Sequence, residues 1–240
     1  MTDISTATLR EIVTDDFRAA AIFEKYSLDF CCRGGKTIAE ACTDKDVDRE
    51  SVLRDMRDLE ERGGDRGVSE DLPAGQLTQH IVATHHAYVR RMVPVLLAHT
   101  RKVATVHGPN HPEVVDIAVI FEKVAAELLD HMLKEENVLF PYIEALGSAL
   151  ESGAPVPAAH FGTARNPIRM MEAEHRLAGD ALYDIRKLSG TYAPPPDACT
   201  TFKVTYRELE EFERDLHRHV HLENNMLFPE AIALEDRLSR

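Results

Sequence analysis

Two stretches of the chain are near-copies of each other: His131-Met-Leu-Lys-Glu135-Glu-Asn-Val-Leu-Phe-Pro141 and His219-Val-His-Leu-Glu223-Asn-Asn-Met-Leu-Phe-Pro229. Each sets a histidine four residues before a glutamate, just ahead of Leu-Phe-Pro. On a helix, residues four apart share a face and lie about 6 Å apart along the axis. An imidazole and a carboxylate so placed can grip one metal ion. A single His-x-x-x-Glu is usually a solvated pair; two copies suggest two grips on a paired metal centre.

Such a centre needs helices long enough to bring both copies to one level. After residue 75 the sequence predicts four long helices, at about 76–106, 113–146, 165–189 and 198–234. Breakers separate them at Gly108-Pro109-Asn110-His111-Pro112, between Gly153 and Pro157, and at Pro194-Pro195-Pro196. The first and third breaks are short, so each joins an antiparallel pair; the longer middle connection leaves room for a crossover. This is the pattern of a four-helix bundle. Before it, residues 1 to about 62 read as short helices. Leu9, Ile12, Val13, Phe17, Ala20 and Phe23 recur at helical spacing, and Val52, Leu53, Met56 and Leu59 form a second stripe. The expected organisation is a small helical N-terminal domain over 1–66, a Gly- and Pro-containing linker over 67–75, and the bundle over 76–240.

In an antiparallel hairpin, residues equidistant from the turn sit at one height. Reflecting His131 through a turn near 110 lands close to residue 89, where His86 is the nearest histidine and His85 stands beside it. Reflecting His219 through a turn near 197 lands on His175. The ligand set is then His86, His131, Glu135, His175, His219 and Glu223. If both carboxylates bridge, each of two ions has two imidazoles, two carboxylate oxygens and one or two positions left open. Structural zinc prefers a closed four-coordinate site, commonly with thiolates. Mixed imidazole and carboxylate ligation with open positions fits iron first and manganese second.

Other residues near the repeat carry weaker expectations. Glu127 lies four residues before His131 and Glu174 abuts His175; each is a candidate to orient a ligand imidazole or relay protons. His80, His85, His217 and His221 read as surface residues or as supports for the ligands. Leu-Phe-Pro reads as core packing with a bend, because Pro141 and Pro229 cannot donate to the carbonyls of Asn137 and Asn225.

Bulk properties exclude several functions. The chain has 240 residues and a formal net charge of −13, which repels phosphate backbones and anionic lipid. Neither nucleic acid nor a membrane is an expected partner, and no apolar run approaches the roughly 18 residues of a membrane span. The start MTDISTATLREIVTDD has neither a basic head nor an apolar core, so a cytoplasmic location is expected. The four cysteines, Cys31, Cys32, Cys42 and Cys199, do not form a paired CxxC zinc pattern.

Together, the two His-x-x-x-Glu-Leu-Phe-Pro repeats, Leu222-Glu223-Asn224-Asn225, Pro194-Pro195-Pro196-Asp-Ala-Cys199-Thr-Thr and Tyr26 to Gly34 (YSLDFCCRG) resemble one family along essentially the whole chain. It is the iron–sulfur cluster repair, or RIC, family of di-iron proteins. The resemblance implies an all-α fold: a hemerythrin-like up-down four-helix bundle preceded by a small helical domain carrying adjacent cysteines. It places the iron ligands on the six residues above and favours His86 over His85. It further implies an oxo-bridged centre of two Fe ions per chain, a homodimer, and induction by nitric oxide or peroxide, with damaged iron–sulfur proteins as clients. The extra imidazole of oxygen-carrying hemerythrins is absent here, which argues against reversible oxygen carriage.

Two implied routes to repair are donation of a labile iron ion and redox chemistry on nitric oxide, and the sequence does not choose between them. A di-iron oxidoreductase acting on nitric oxide or peroxide is the second reading. A module that senses or stores nitric oxide or oxygen is the third. Cys31 and Cys32 are candidates for handling iron, nitrosyl or a client cluster, because thiolates are soft ligands and a disulfide between neighbours is strained. Their bland reading is two small buried hydrophobes. Cys42 and Cys199 read as structural.

Overall fold

A computed structural model describes residues 4, 6–62, 72–156 and 158–239. Residues 67–71 of the expected linker, the Gly63–Gly67 run before it and Pro157 of the middle break lie outside them.

Four short helices open the chain: α1 (Leu9–Asp15), α2 (Ala19–Lys25), α3 (Ile38–Lys45) and α4 (Arg49–Arg62). Thr8 and Thr37 start α1 and α3 with the same device. Each hydroxyl accepts from a backbone N–H three residues on, while Glu11 and Glu40 reach back to the cap. The two caps also pair with each other through an isolated antiparallel bridge. The segment between α2 and α3 turns at Ser27, which takes a left-handed φ of 55°, and carries Phe30, Cys31 and Cys32.

The bundle continues the chain in four rods. The first is α5 (Ala74–Ile81), a π turn (Val82–His86) and α6 (Ala87–His107). The second is α7 (Glu113–Lys134), a π turn (Glu135–Leu139) and α8 (Phe140–Ser152). The third is α9 (Arg165–Leu188), unbroken. The fourth is α10 (Thr200–His221), a π turn (Leu222–Leu227) and α11 (Phe228–Leu238). Each rod packs on its sequence neighbours and the fourth closes on the first, so the expected helices, breaks and antiparallel pairs are found.

The bend expected at Pro141 and Pro229 takes a different form. The chain widens by one residue just before each proline: Phe140 N–H donates to the Glu135 carbonyl and Phe228 N–H to the Glu223 carbonyl, five residues back. Each proline then sits in the first turn of the next α segment, where it lacks no needed donor. In the second rod the Asn137 side-chain amide donates to the Leu133 carbonyl, 2.7 Å away. π turns of this kind concentrate at functional positions.

Two apolar clusters fill the interior. One holds Val89, Leu96, Phe121, Leu182, Phe202 and Phe212, and continues without a break into Leu9, Phe23 and Val52 of the N-terminal helices and Phe30 of the segment between α2 and α3. The other holds Ile81, Phe140, Ile143, Ile168, Met171 and Phe228 at the opposite end. On every rod the change from one cluster to the other falls at a proposed ligand. The six side chains form a polar layer between two oily halves.

Candidate metal centre

The layer is built from two kinds of position. His131 and His219 stand in the last turns of α7 and α10, and Glu135 and Glu223 fall in the π turns immediately after them. Nε2 of His131 is 3.1 Å from Glu135 Oε1, and Nε2 of His219 is 3.0 Å from Glu223 Oε1. The first and third rods add His86 and His175. Of His85 and His86, the structure brings His86 into the layer.

The imidazoles pair across the hairpins rather than within them. Nε2 of His86 faces Nε2 of His219 at 3.1 Å, and Nε2 of His175 faces Nε2 of His131 at 2.9 Å. Both carboxylates belong to both pairs. Glu135 turns Oε2 to His86, 3.4 Å away, and Oε1 to His131. Glu223 turns Oε1 to His219 and His86, and Oε2 to His175 at 3.1 Å. The result is two four-donor groups, His86–Glu135–His219–Glu223 and His131–Glu135–His175–Glu223, with donor atoms within 4.8 Å in each. All six side chains are almost wholly buried.

This arrangement fits cations and fits little else. Among the described residues, no donor is aligned on either oxygen of Glu135 or on Oε2 of Glu223. Three fully buried carboxylate oxygens without donors are costly, and facing imidazole nitrogens have lone pairs to place. Without an ion, protons do the compensating. Burial favours neutral rings, but Glu135 and Glu223 outweigh it and raise His86 to about 10. Against the same burial, Glu135, Glu223 and Glu174 raise His131 to about 9. Burial pushes carboxylates up, yet His219, His175 and His86 hold Glu223 well below its ordinary range. Burial lowers His219.

A second ring of residues fixes the imidazoles by their other nitrogen. Glu136 Oε1 lies 2.6 Å from His86 Nδ1 and is itself held by Arg90. Glu174 Oε2 lies 2.7 Å from His131 Nδ1 and is held by Lys134. Asn224 Oδ1 lies 2.9 Å from His175 Nδ1. The two copies of the repeat are therefore alike one residue further than the proposed ligands: Glu136 and Asn224, each directly after a candidate ligand glutamate, each reach the histidine on the other rod of their own hairpin. Sequence reasoning missed both, although their matching place in the repeat was the available signal. Glu127, by contrast, is exposed. It pairs with Lys123 at 3.8 Å and touches the centre only as part of a shared cavity wall.

Two histidines expected at the surface or in support have more specific places. His85 is buried, stacked on His219 with ring centroids 5.5 Å apart, and its Nδ1 lies 3.0 Å from Asp215 Oδ1. His221 is also buried, packed on Phe17 and Phe30, with Nδ1 2.8 Å from the Asn225 amide. Burial, with Arg218 and Arg10 nearby, lowers it to about 4, so it is a neutral packing ring. Apolar contact with Phe17 and Phe30, in the connections of the N-terminal region, is what the helical spacing of His221 did not disclose.

Those contacts bring the cysteine loop against the centre. Asn224 Nδ2 donates to the Cys31 carbonyl at 3.1 Å and Asn225 Nδ2 to the Phe30 carbonyl at 3.2 Å. The Cys32 thiol stands 3.5 Å from the backbone carbonyl of His175. Cys31 is buried, Cys32 partly so, and both are free thiols. The hydrogen bond with Cys32, reinforced by burial, holds the Cys31 thiol well above its ordinary range. On another side, a cavity of about 220 Å³ between the second and third rods reaches His131 and His175 past Glu174, Leu177, Leu216 and Val220.

Comparison with known proteins agrees with this layout. Residues 77–231 match the family described as "Hemerythrin HHE cation binding domain", and residues 5–60 match "Domain of Unknown function (DUF542)". The chain is 35% identical over 228 residues to the iron-sulfur cluster repair protein YtfE of Citrobacter koseri, covering 95% of this chain and 97% of that protein. It is 34% identical over 220 residues to the iron-sulfur cluster repair protein ScdA of Staphylococcus haemolyticus, covering 91% and 94%.

Proposed function

The chain belongs to the hemerythrin HHE family and, within it, to the iron–sulfur cluster repair proteins, and from that premise we propose that it holds two iron ions in the six-residue layer and restores iron–sulfur clusters damaged by nitric oxide or oxidants. The observation that carries this reading is the pair of four-donor groups sharing Glu135 and Glu223. Four neutral imidazoles and two carboxylates are a donor set of borderline hardness, suited to iron. Bound there, iron supplies redox-active, Lewis-acidic chemistry.

The protein's own residues do the rest. Glu135 and Glu223 would hold both positions at once. Glu136, Glu174 and Asn224 fix the ring planes of His86, His131 and His175, an arrangement that sharpens metal affinity. The two apolar clusters keep bulk water from the layer. Iron handed to a client cluster is cargo, and the thiols of Cys31 and Cys32, on the loop against His175, are candidates for passing it.

Purified protein is expected to contain two irons per chain. Iron-loaded protein mixed with a nitric-oxide-inactivated dehydratase is expected to restore its activity. One zinc per chain, or no transition metal after expression in iron-replete medium, would sink the proposal.

One observation favours a second reading. The cavity reaching His131 and His175 has walls of Leu177, Leu216 and Val220 and room for a small uncharged molecule. This suits a di-iron oxidoreductase acting on nitric oxide or peroxide. Reduced protein exposed to nitric oxide separates the cases: catalytic nitrous oxide supports the oxidoreductase, stoichiometric binding without turnover supports a sensor, and iron transfer to an apo-cluster protein supports repair.

A further inference from the structure

Outside the centre, one more group of side chains has the geometry of a cation site. Asp29, Cys31 and Cys32 bring a carboxylate oxygen and two sulfurs within 4.8 Å of one another. Adjacent residues in extended backbone point to opposite sides, yet these two thiols converge, with sulfurs 3.7 Å apart. The loop is pinned to make them do so. Asp29 Oδ1 accepts from the Cys32 N–H at 2.8 Å, Asn224 and Asn225 hold the carbonyls of Cys31 and Phe30, and Arg33 pairs with Asp180 at 2.9 Å.

The spacings are those of a tetrahedral metal. With metal–sulfur bonds of about 2.3 Å, two sulfurs on one tetrahedral ion are roughly 3.8 Å apart, and a sulfur and a carboxylate oxygen roughly 3.6 Å. The observed separations are 3.7 Å between the sulfurs and 3.5 Å between Cys31 Sγ and Asp29 Oδ1. A disulfide needs the sulfurs near 2.05 Å and is strained between neighbours. A cavity of about 80 Å³, lined also by Arg33, Asp180 and His217, opens beside the thiols and leaves a fourth position accessible.

We propose that Asp29, Cys31 and Cys32 form a third metal site, separate from the six-residue centre, for one thiophilic divalent cation. Two thiolates and a carboxylate select a borderline ion such as ferrous iron or zinc over magnesium or calcium. That the working ion is ferrous iron rests on the repair reading; the existence of the site does not. Its location gives it a role at the boundary between the centre and the exterior. The His175 backbone carbonyl faces Cys32 while its ring ligates in the layer, and Asn224 bonds both the His175 ring and the Cys31 carbonyl. An ion held by the thiols is one residue removed from the centre.

The test uses full-length protein with its centre already loaded with iron, kept anaerobic and free of disulfide, and titrated with Co²⁺. Thiolate-to-cobalt charge-transfer absorption is expected to grow and saturate at one equivalent per chain. Asp29→Asn should weaken it at least tenfold, and Cys31→Ser with Cys32→Ser should abolish it, with iron content of the centre unchanged in each. Absence of the band in the unaltered protein, or its persistence in the double variant, overturns the proposal. Should the double variant fold poorly, alkylation of the unaltered protein decides. Zinc is expected to protect Cys31 and Cys32, but not the exposed Cys199, until a chelator is added; equal labelling with and without zinc overturns the site. Loss of core iron with the cobalt signal intact would count against the repair reading alone.

Discussion

At the scale of single residues, the centre turns on two buried carboxylates, of which both oxygens of Glu135 and Oε2 of Glu223 have no aligned donor among the described residues. Because each serves both four-donor groups, Glu135→Gln or Glu223→Gln is expected to leave near-zero iron per chain rather than half. Circular dichroism should report the helices intact, and Glu127→Leu should leave metal content unchanged. The same carboxylates set a pH dependence. In metal-free protein His86 and His131 are raised to about 10 and about 9 from an ordinary 6.5. Their folded pKa values exceed the unfolded ones, so their protonation stabilises the fold fully below about pH 6.5. That stabilisation is lost as pH rises through about 9 and about 10. Metal-free protein should therefore melt at progressively lower temperature from about pH 6.5 up to about pH 10, and iron-loaded protein should not. A thermal-denaturation series from pH 6 to 10.5 checks the difference.

At the scale of elements, three of the four rods carry a π turn at or beside a proposed ligand, and each adds a residue that rotates the next α segment about the rod axis. Deleting Val138 should restore regular α geometry to the second rod and turn α8 by roughly 100° relative to α7. Phe140 and Ile143 would then leave their cluster. The expected outcome is lost iron and a destabilised bundle with far-ultraviolet helicity largely kept. Helix existence, breaks and antiparallel pairing were legible in the sequence because apolar spacing and proline clusters report them locally. The six-residue layer was legible because the repeat and the turns constrain one another. The π turns were not legible, since the same residues satisfy α spacing on both sides of the extra residue. Glu136 and Asn224 were hidden for a related reason: a polar residue beside a buried one looks solvated until its hairpin partner is placed.

At the scale of the whole molecule, the N-terminal helices and the bundle share one apolar cluster through Phe23, Phe30 and Val52. The sequence suggests separate units because the Gly- and Pro-containing stretch after α4 resembles a linker. Shared core should make them melt together. Calorimetry is expected to show one transition, not two. Phe30→Ala, which empties a wholly buried ring site between the units, should lower stability by about 3–5 kcal/mol while leaving helix formation itself unslowed.

The cross-hairpin pairing would also make the two proposed metal positions unequal in time. His131 and His175 line a cavity that opens between the second and third rods, and His175 backs onto the cysteine loop. His86 and His219 are wholly buried, the one stacked on Phe140 and the other on His85. One ion of a pair held this way has a short exit and the other has none without local opening. Stripping with a chelator should accordingly show a biphasic time course of equal amplitudes, the fast phase from the His131–His175 position. Filling that cavity from Ala178 on its wall, by Ala178→Phe, should slow the fast phase and leave the slow one alone. The proposed pair of sites, symmetric in its ligands, would then behave as a store with one quick and one reserved ion.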